Sequence, residues 1–120
     1  MVSYALLVQD VEMAHALLNT AKIYDWESFH NVCAEAFGFP DFYGRNMNAW
    51  IDCLTYLHEG DGMSRFVLAE GEHLFILVLD FGVFAAVLPE IANAFLSCVA
   101  FVNQRYLEEN EMPRLALVLQ

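Results

Sequence analysis

The stretch Phe42-Tyr43-Gly44-Arg45-Asn46-Met47-Asn48-Ala49-Trp50-Ile51-Asp52-Cys53-Leu54-Thr55 reads as a tight turn running into an amphipathic helix. Asn46 can accept a hydrogen bond from the free amides of a first helical turn. Met47, Trp50, Ile51, Leu54 and Leu57 then fall on one apolar stripe. The turn-rich Glu59-Gly60-Asp61-Gly62 closes the pattern, so the spacing predicts a helix over about 46–57. Its other face carries Asn48, Asp52, Thr55 and Glu59, and side chains four residues apart, such as 48 and 52, point together into solvent. That face is the candidate site.

Toward the N-terminus, Asp25 can cap a helix in which Trp26, Phe29, Cys33 and Phe37 recur at helical spacing until Gly38 and Pro40 end it, over about 26–37. Before it, the short apolar run 14–18, closed by Asn19-Thr20, is expected to be a buried strand. Residues 1–13 fit neither period. Toward the C-terminus, 64–69 and 73–79 read as two strands around Glu70-Gly71-Glu72, the second apolar on both faces from Leu74 to Leu79. After a short piece at 81–88, Pro89 suits a first helical turn, with Ile91, Phe95, Val99, Val102 and Tyr106 on one side as far as about Glu109. Leu115-Ala116-Leu117-Val118-Leu119 is a last strand suited to burial between layers. The expected fold class is therefore α/β, a small sheet covered by helices.

The 120 residues carry five Lys+Arg against 16 Asp+Glu, a formal net charge of −11. That excludes direct nucleic-acid binding by charge, which needs a basic footprint. With 58% hydrophobic residues the chain is expected to fold as one domain over 1–120. The most apolar region, Leu74 to Val102, is cut by Asp80, Pro89, Glu90 and Asn93, so no membrane span of roughly 18 residues is expected. The apolar start lacks the basic region of a secretory signal, the first cation being Lys22, and a cytoplasmic protein is expected.

Cys33, Cys53 and Cys98 form an odd set without metal-type spacing and are expected to act as small core hydrophobes. His58-Glu59-Gly60-Asp61 lacks the ligand spacing of a zinc or calcium site and reads as a solvated turn. No metal and no cofactor are expected. A Cys53–His58 nucleophile pair is separated by five residues and falls on different sides of a helix, so no enzyme is expected.

The segment 42–55 resembles the barstar family of intracellular ribonuclease inhibitors, in which an aromatic-Tyr-Gly-x-Asn turn leads into a helix with Asp-Cys-Leu-Thr. Tyr43, Gly44, Asn46, Asp52, Cys53, Leu54 and Thr55 stand at matching positions. The order of elements is similar over most of 14–120, while the residue-level likeness is confined to 39–55. The resemblance implies a parallel sheet of about three strands packed with helices, and a function in which helix 46–57 plugs a ribonuclease active site. It also implies partner-binding roles for Phe42, Tyr43, Gly44, Asn48, Asp52 and Thr55. The aspartate matching Asp52 stands in for an RNA phosphate, which a carboxylate can do because it takes paired charge-assisted hydrogen bonds from arginine.

Several positions depart from the family pattern. Asn48 replaces a contact aspartate, Arg45 a glutamate, Ile51 and Leu57 two tryptophans and Trp50 a leucine, while Phe42 keeps the ring but not the hydroxyl of a tyrosine. Glu108, Glu109 and Glu111 cannot be aligned uniquely to the glutamates that the family uses at the end of its last helix. Relative to the family, residues 1–13 form an N-terminal extension and about 61–88 an enlarged hairpin region, giving a partly mixed sheet. The implied partner is a basic ribonuclease, with secreted or toxin-type nucleases in view. The alternative is a barstar-like protein-binding module that regulates a non-nuclease partner.

Overall fold

The computed structural model of the protein describes residues 7–8 and 11–120. Most of the extension expected at 1–13 lies outside the described residues. Within it, β1 (Leu7–Val8) pairs antiparallel with β2 (Val11–Glu12). The chain then runs through β3 (His15–Asn19) and a 3-10 turn (Thr20–Lys22). Next come α1 (Trp26–Phe37), α2 (Met47–Thr55) and β4 (Leu74–Leu79). It ends with α3 (Phe81–Val87), α4 (Pro89–Glu108) and β5 (Leu115–Leu119). Among the described residues, no helix is long and apolar enough to cross a membrane.

β4 is the central strand of a parallel sheet ordered β3-β4-β5. In register, Leu17, Leu77 and Val118 form one cross-strand row, and Ala16, Ile76 and Leu117 form the row on the opposite face. Leu74, Ile76 and Val78 are fully buried on one face and Leu77 is buried on the other, which explains why β4 is apolar on both. This is the α/β architecture expected from the sequence. The short piece at 81–88 is α3, and the expected helices and strands otherwise agree to within one or two residues.

The expected hairpin is absent, and the sheet is wholly parallel. Both edges of β4 are already occupied by β3 and β5, so residues 64–69 cannot pair with it as a hairpin. Their polar groups instead satisfy carbonyls left free at helix ends. Arg65 N donates to Phe37 O at 3.0 Å and Leu68 N to Leu57 O at 2.9 Å. Ser64 Oγ donates to Phe37 O at 2.6 Å. Buried Arg114 fastens the following turn, donating to Ala69 O and Glu72 O, both at 2.9 Å, and pairing with Glu111 at 2.8 Å. Apolar patterning alone did not distinguish this clasp from a strand.

The core joins three helices through aromatic rings. Phe29 and Phe37 of α1, Trp50 of α2 and Phe95 of α4 are completely buried. Trp50 meets Phe37 at 5.9 Å and Phe95 at 6.0 Å between ring centroids, both edge to face. Phe95 in turn meets Phe29 at 6.4 Å. Such pairs add about 0.5–1.5 kcal/mol each beyond the area they bury.

The ends of α1 are fixed locally. Asp25 accepts from Ser28 N at 2.8 Å while Ser28 Oγ accepts from Asp25 N at 3.0 Å, and Gly38 closes the helix with φ 66°. A Cβ on Gly38 would lie 2.6 Å from Arg65 Cβ. Gly38→Ala is therefore expected to destabilise the protein by at least about 1 kcal/mol, from backbone strain and from loosening the 64–68 clasp together. A lower urea midpoint with an unchanged slope checks this.

Candidate functional site

α2 begins at Asn46, whose side chain accepts from Ala49 N at 2.8 Å, so this asparagine is a helix cap as its spacing suggested. Trp50, Cys53, Leu54 and, beyond the helix, Leu57 are buried. The opposite stripe is consequently turned outward. Asn48 and Asp52 are both exposed on it, the Asp52 side chain retaining 56% of its accessible surface.

The turn before α2 divides the other candidate residues. Phe42 is 74% exposed, a large bare ring. Tyr43 is buried: its ring lies 4.6 Å from that of Phe39, and its hydroxyl sits 2.7 Å from Nδ1 of buried His30. Burial pushes the Tyr43 hydroxyl far above its ordinary value, so it stays protonated and shares a hydrogen bond with the imidazole. Gly44 is not the left-handed residue of the turn. That conformation belongs to Arg45, with φ 55°. Gly44 instead lies close against α2: a Cβ there would come within 3.2 Å of Ala49 Cβ in the first turn of the helix, a tight contact.

Arg45 is held back against α1. Its guanidinium donates to Asn31 Oδ1 at 2.7 Å and to Glu27 O at 3.1 Å. It borders an open cleft of about 540 Å³ between the start of α1 and the start of α2, which Trp26, His30 and Met47 also line.

Thr55 does not share the solvated face with Asn48 and Asp52. It is buried, and its hydroxyl donates to Ile51 O one turn back at 2.6 Å. The helix ends there, so Glu59 lies beyond it in the following turn. Thr55 is still within the helix, one turn after Ile51, so its burial reflects what packs over that end of α2 and not where the helix stops.

Sequence reasoning missed one partner of Asp52. Arg105 Nη1, from α4, lies 3.1 Å from Asp52 Oδ1, and its guanidinium stands 5.3 Å from the Phe101 ring centroid. The neighbouring residue Tyr106 fixes this meeting. Its buried hydroxyl donates to Leu54 O at 2.8 Å and accepts from Leu57 N at 3.1 Å, tying α4 to the end of α2. Burial raises the Tyr106 hydroxyl to about 12. The separation of 53 residues left no local signal for the Asp52–Arg105 pair beyond the charges themselves.

The thiols are poor nucleophiles. Burial raises Cys33 to about 12, and burial together with the charge of Asp52 raises Cys53 to about 11. The Trp50 indole N–H has no oxygen or nitrogen partner and faces the Cys33 sulfur, a weak acceptor. Among the described residues, no three His, Cys, Asp or Glu side chains converge as metal ligands.

A family model described as barstar (barnase inhibitor) matches residues 13–119. No curated protein matches the chain.

Tyr106→Phe keeps the ring but leaves Leu57 N without its buried acceptor, and is expected to cost about 1–3 kcal/mol in urea unfolding. His30 titrates below its ordinary value, first because of burial and then because of the charge of Arg45. A depressed imidazole contributes stability that is present above the unfolded value near 6.5 and is lost as the pH falls through the folded value. Unfolding free energy should therefore decline below about pH 6.5. The decline should be smaller in His30→Gln, as parallel urea titrations at several pH values would show.

Proposed function

Because the chain belongs to the barstar family, we infer that it is an intracellular protein inhibitor of a ribonuclease, with no catalysis of its own, and that the outward stripe of α2 occupies the nuclease's phosphate site. The exposure of Asp52 on a helix whose other side is anchored by buried Trp50, Cys53 and Leu54 carries this reading. Two carboxylate oxygens on a rigid support can accept paired hydrogen bonds from an arginine that would otherwise hold phosphate. Preorganisation matters because ordering a loose carboxylate would subtract from the binding energy.

The other residues divide into contacts and supports. Phe42, Asn48 and the backbone at Gly44 are accessible to a partner, whereas Tyr43 and Thr55 shape the turn and the helix end from beneath. Asn48 offers hydrogen bonds without charge, so Asp52 is the principal anion of the stripe. The net charge of −11 adds long-range attraction for a basic enzyme.

A pull-down from native host lysate, with Asp52→Arg as control bait and an RNA-cleavage assay on whatever differs, tests the reading. The expected result is a basic ribonuclease held and silenced only by the parent protein. A non-nuclease partner, or one indifferent to residue 52, would replace the inhibitor with a barstar-like module regulating another protein. Against a cognate nuclease, Asp52→Ala should fold normally and lose at least ~2 kcal/mol of binding. The parent's association rate should also fall as salt rises, since steering is screened over about 10 Å at 0.1 M ionic strength.

A further inference from the structure

We propose that Arg105 is a specificity-determining residue of the α2 face, an internal competitor that a partner must displace from Asp52 before it can bind. The proposal rests on the inhibitor reading of Asp52 and adds a condition on the partner.

Of the three ion pairs among the described residues, His58–Glu59 joins adjacent residues and Arg114–Glu111 lies within a single turn, whereas Arg105–Asp52 alone bridges two separate elements. The chain has only five Lys and Arg for 16 acids, yet one of the five stands on the carboxylate that the family uses against a nuclease. Arg105 is not there by chance of a flexible side chain. Tyr106 anchors its backbone to α2, and the Phe101 ring supports its guanidinium plane. An arginine partner for Asp52 is thus already present in the free protein, in the place where a nuclease arginine would come.

The pair is partly exposed on both sides, 37% for Arg105 and 56% for Asp52, so it can open. An exposed pair of this kind is worth up to about 1 kcal/mol, or about fivefold in affinity. Displacement also leaves a guanidinium at the interface. The partner that fits best therefore brings a cation for Asp52 and, beside it, a carboxylate to receive Arg105. A site that is cationic throughout meets the residual positive charge unfavourably.

Barnase is the probe, with four forms of the protein: the parent, Arg105→Gln, Asp52→Asn and the double variant. Arg105→Gln should stay folded, unfolding no more than a few degrees below the parent, and should associate about three- to fivefold faster and bind tighter by a similar factor. In the Asp52→Asn background the same change should gain much less, because there is no carboxylate left to free. Weaker binding by Arg105→Gln would mean that Arg105 orients Asp52 productively, and would overturn the proposal. An equal gain with and without Asp52 would make Arg105 a mere bystander charge, and would overturn it too. If the parent binds and Arg105→Gln changes nothing, the competitor fails while the inhibitor reading stands. If no form binds, the reading of Asp52 fails and takes the competitor with it.

Discussion

The burial of Trp50 is the constraint on which the candidate site depends. Its indole fills the space between Phe37 of α1 and Phe95 of α4, with no exposed surface and no conventional partner for its N–H. A ring of that size admits one orientation of α2 about its own axis. Once Trp50 points inward, helical geometry places residues 48 and 52 outward, since each lies two positions away. The direction of the Asp52 carboxylate is thus a consequence of core packing and needs no residue on the exposed face to enforce it. A leucine at position 50 would fill less space, so the neighbouring aromatic contacts belong to this chain's own version of the family core.

A second layer of fixing acts along the helix. Asn46 caps the start, Gly44 lets the preceding turn press close to Ala49, and Tyr106 grips the end through Leu54 and Leu57. Tyr43 belongs to the same scheme, because its hydroxyl reaches His30 in α1 and holds the turn down. Residues that resemble a contact surface in sequence therefore include some whose work is to hold that surface still. The distinction is one of burial: Phe42 and Tyr43 are adjacent, yet one ring faces solvent and the other packs on Phe39.

These particulars explain what could be read from the sequence. Caps and periodic apolar stripes are local, so α1 and α2 were legible from Asp25, Asn46 and their i, i+3, i+4 neighbours, and β4 from an apolar run consistent with burial on both faces. Whether 64–69 pairs as a strand depends on whether an edge of β4 is free, which is a fact about β3 and β5 and not about 64–69. The burial of Thr55 depends on what packs against the end of α2, which periodicity within the helix does not record. The Asp52–Arg105 pair needs α4 to be laid against α2 and lay beyond local reading altogether. The site was legible where it is a helix face and illegible where it is assembled from two elements.

The same structure separates the far field of the protein from its near field. Of the four arginines, Arg45 and Arg65 donate to main-chain carbonyls, and Arg114 does so while also pairing with Glu111. They are engaged in holding loops to helix ends or strand starts. With all five cations counted the net charge is still −11, so at a distance a partner meets a strongly negative molecule. At contact the situation differs. Asp52 is matched by Arg105, and Arg45 lies at the other end of α2, so the stripe itself is close to neutral. Long-range attraction depends on total charge and would serve any basic protein. Discrimination requires a local arrangement that only some of those proteins can complete, and a carboxylate already occupied by an arginine is such an arrangement.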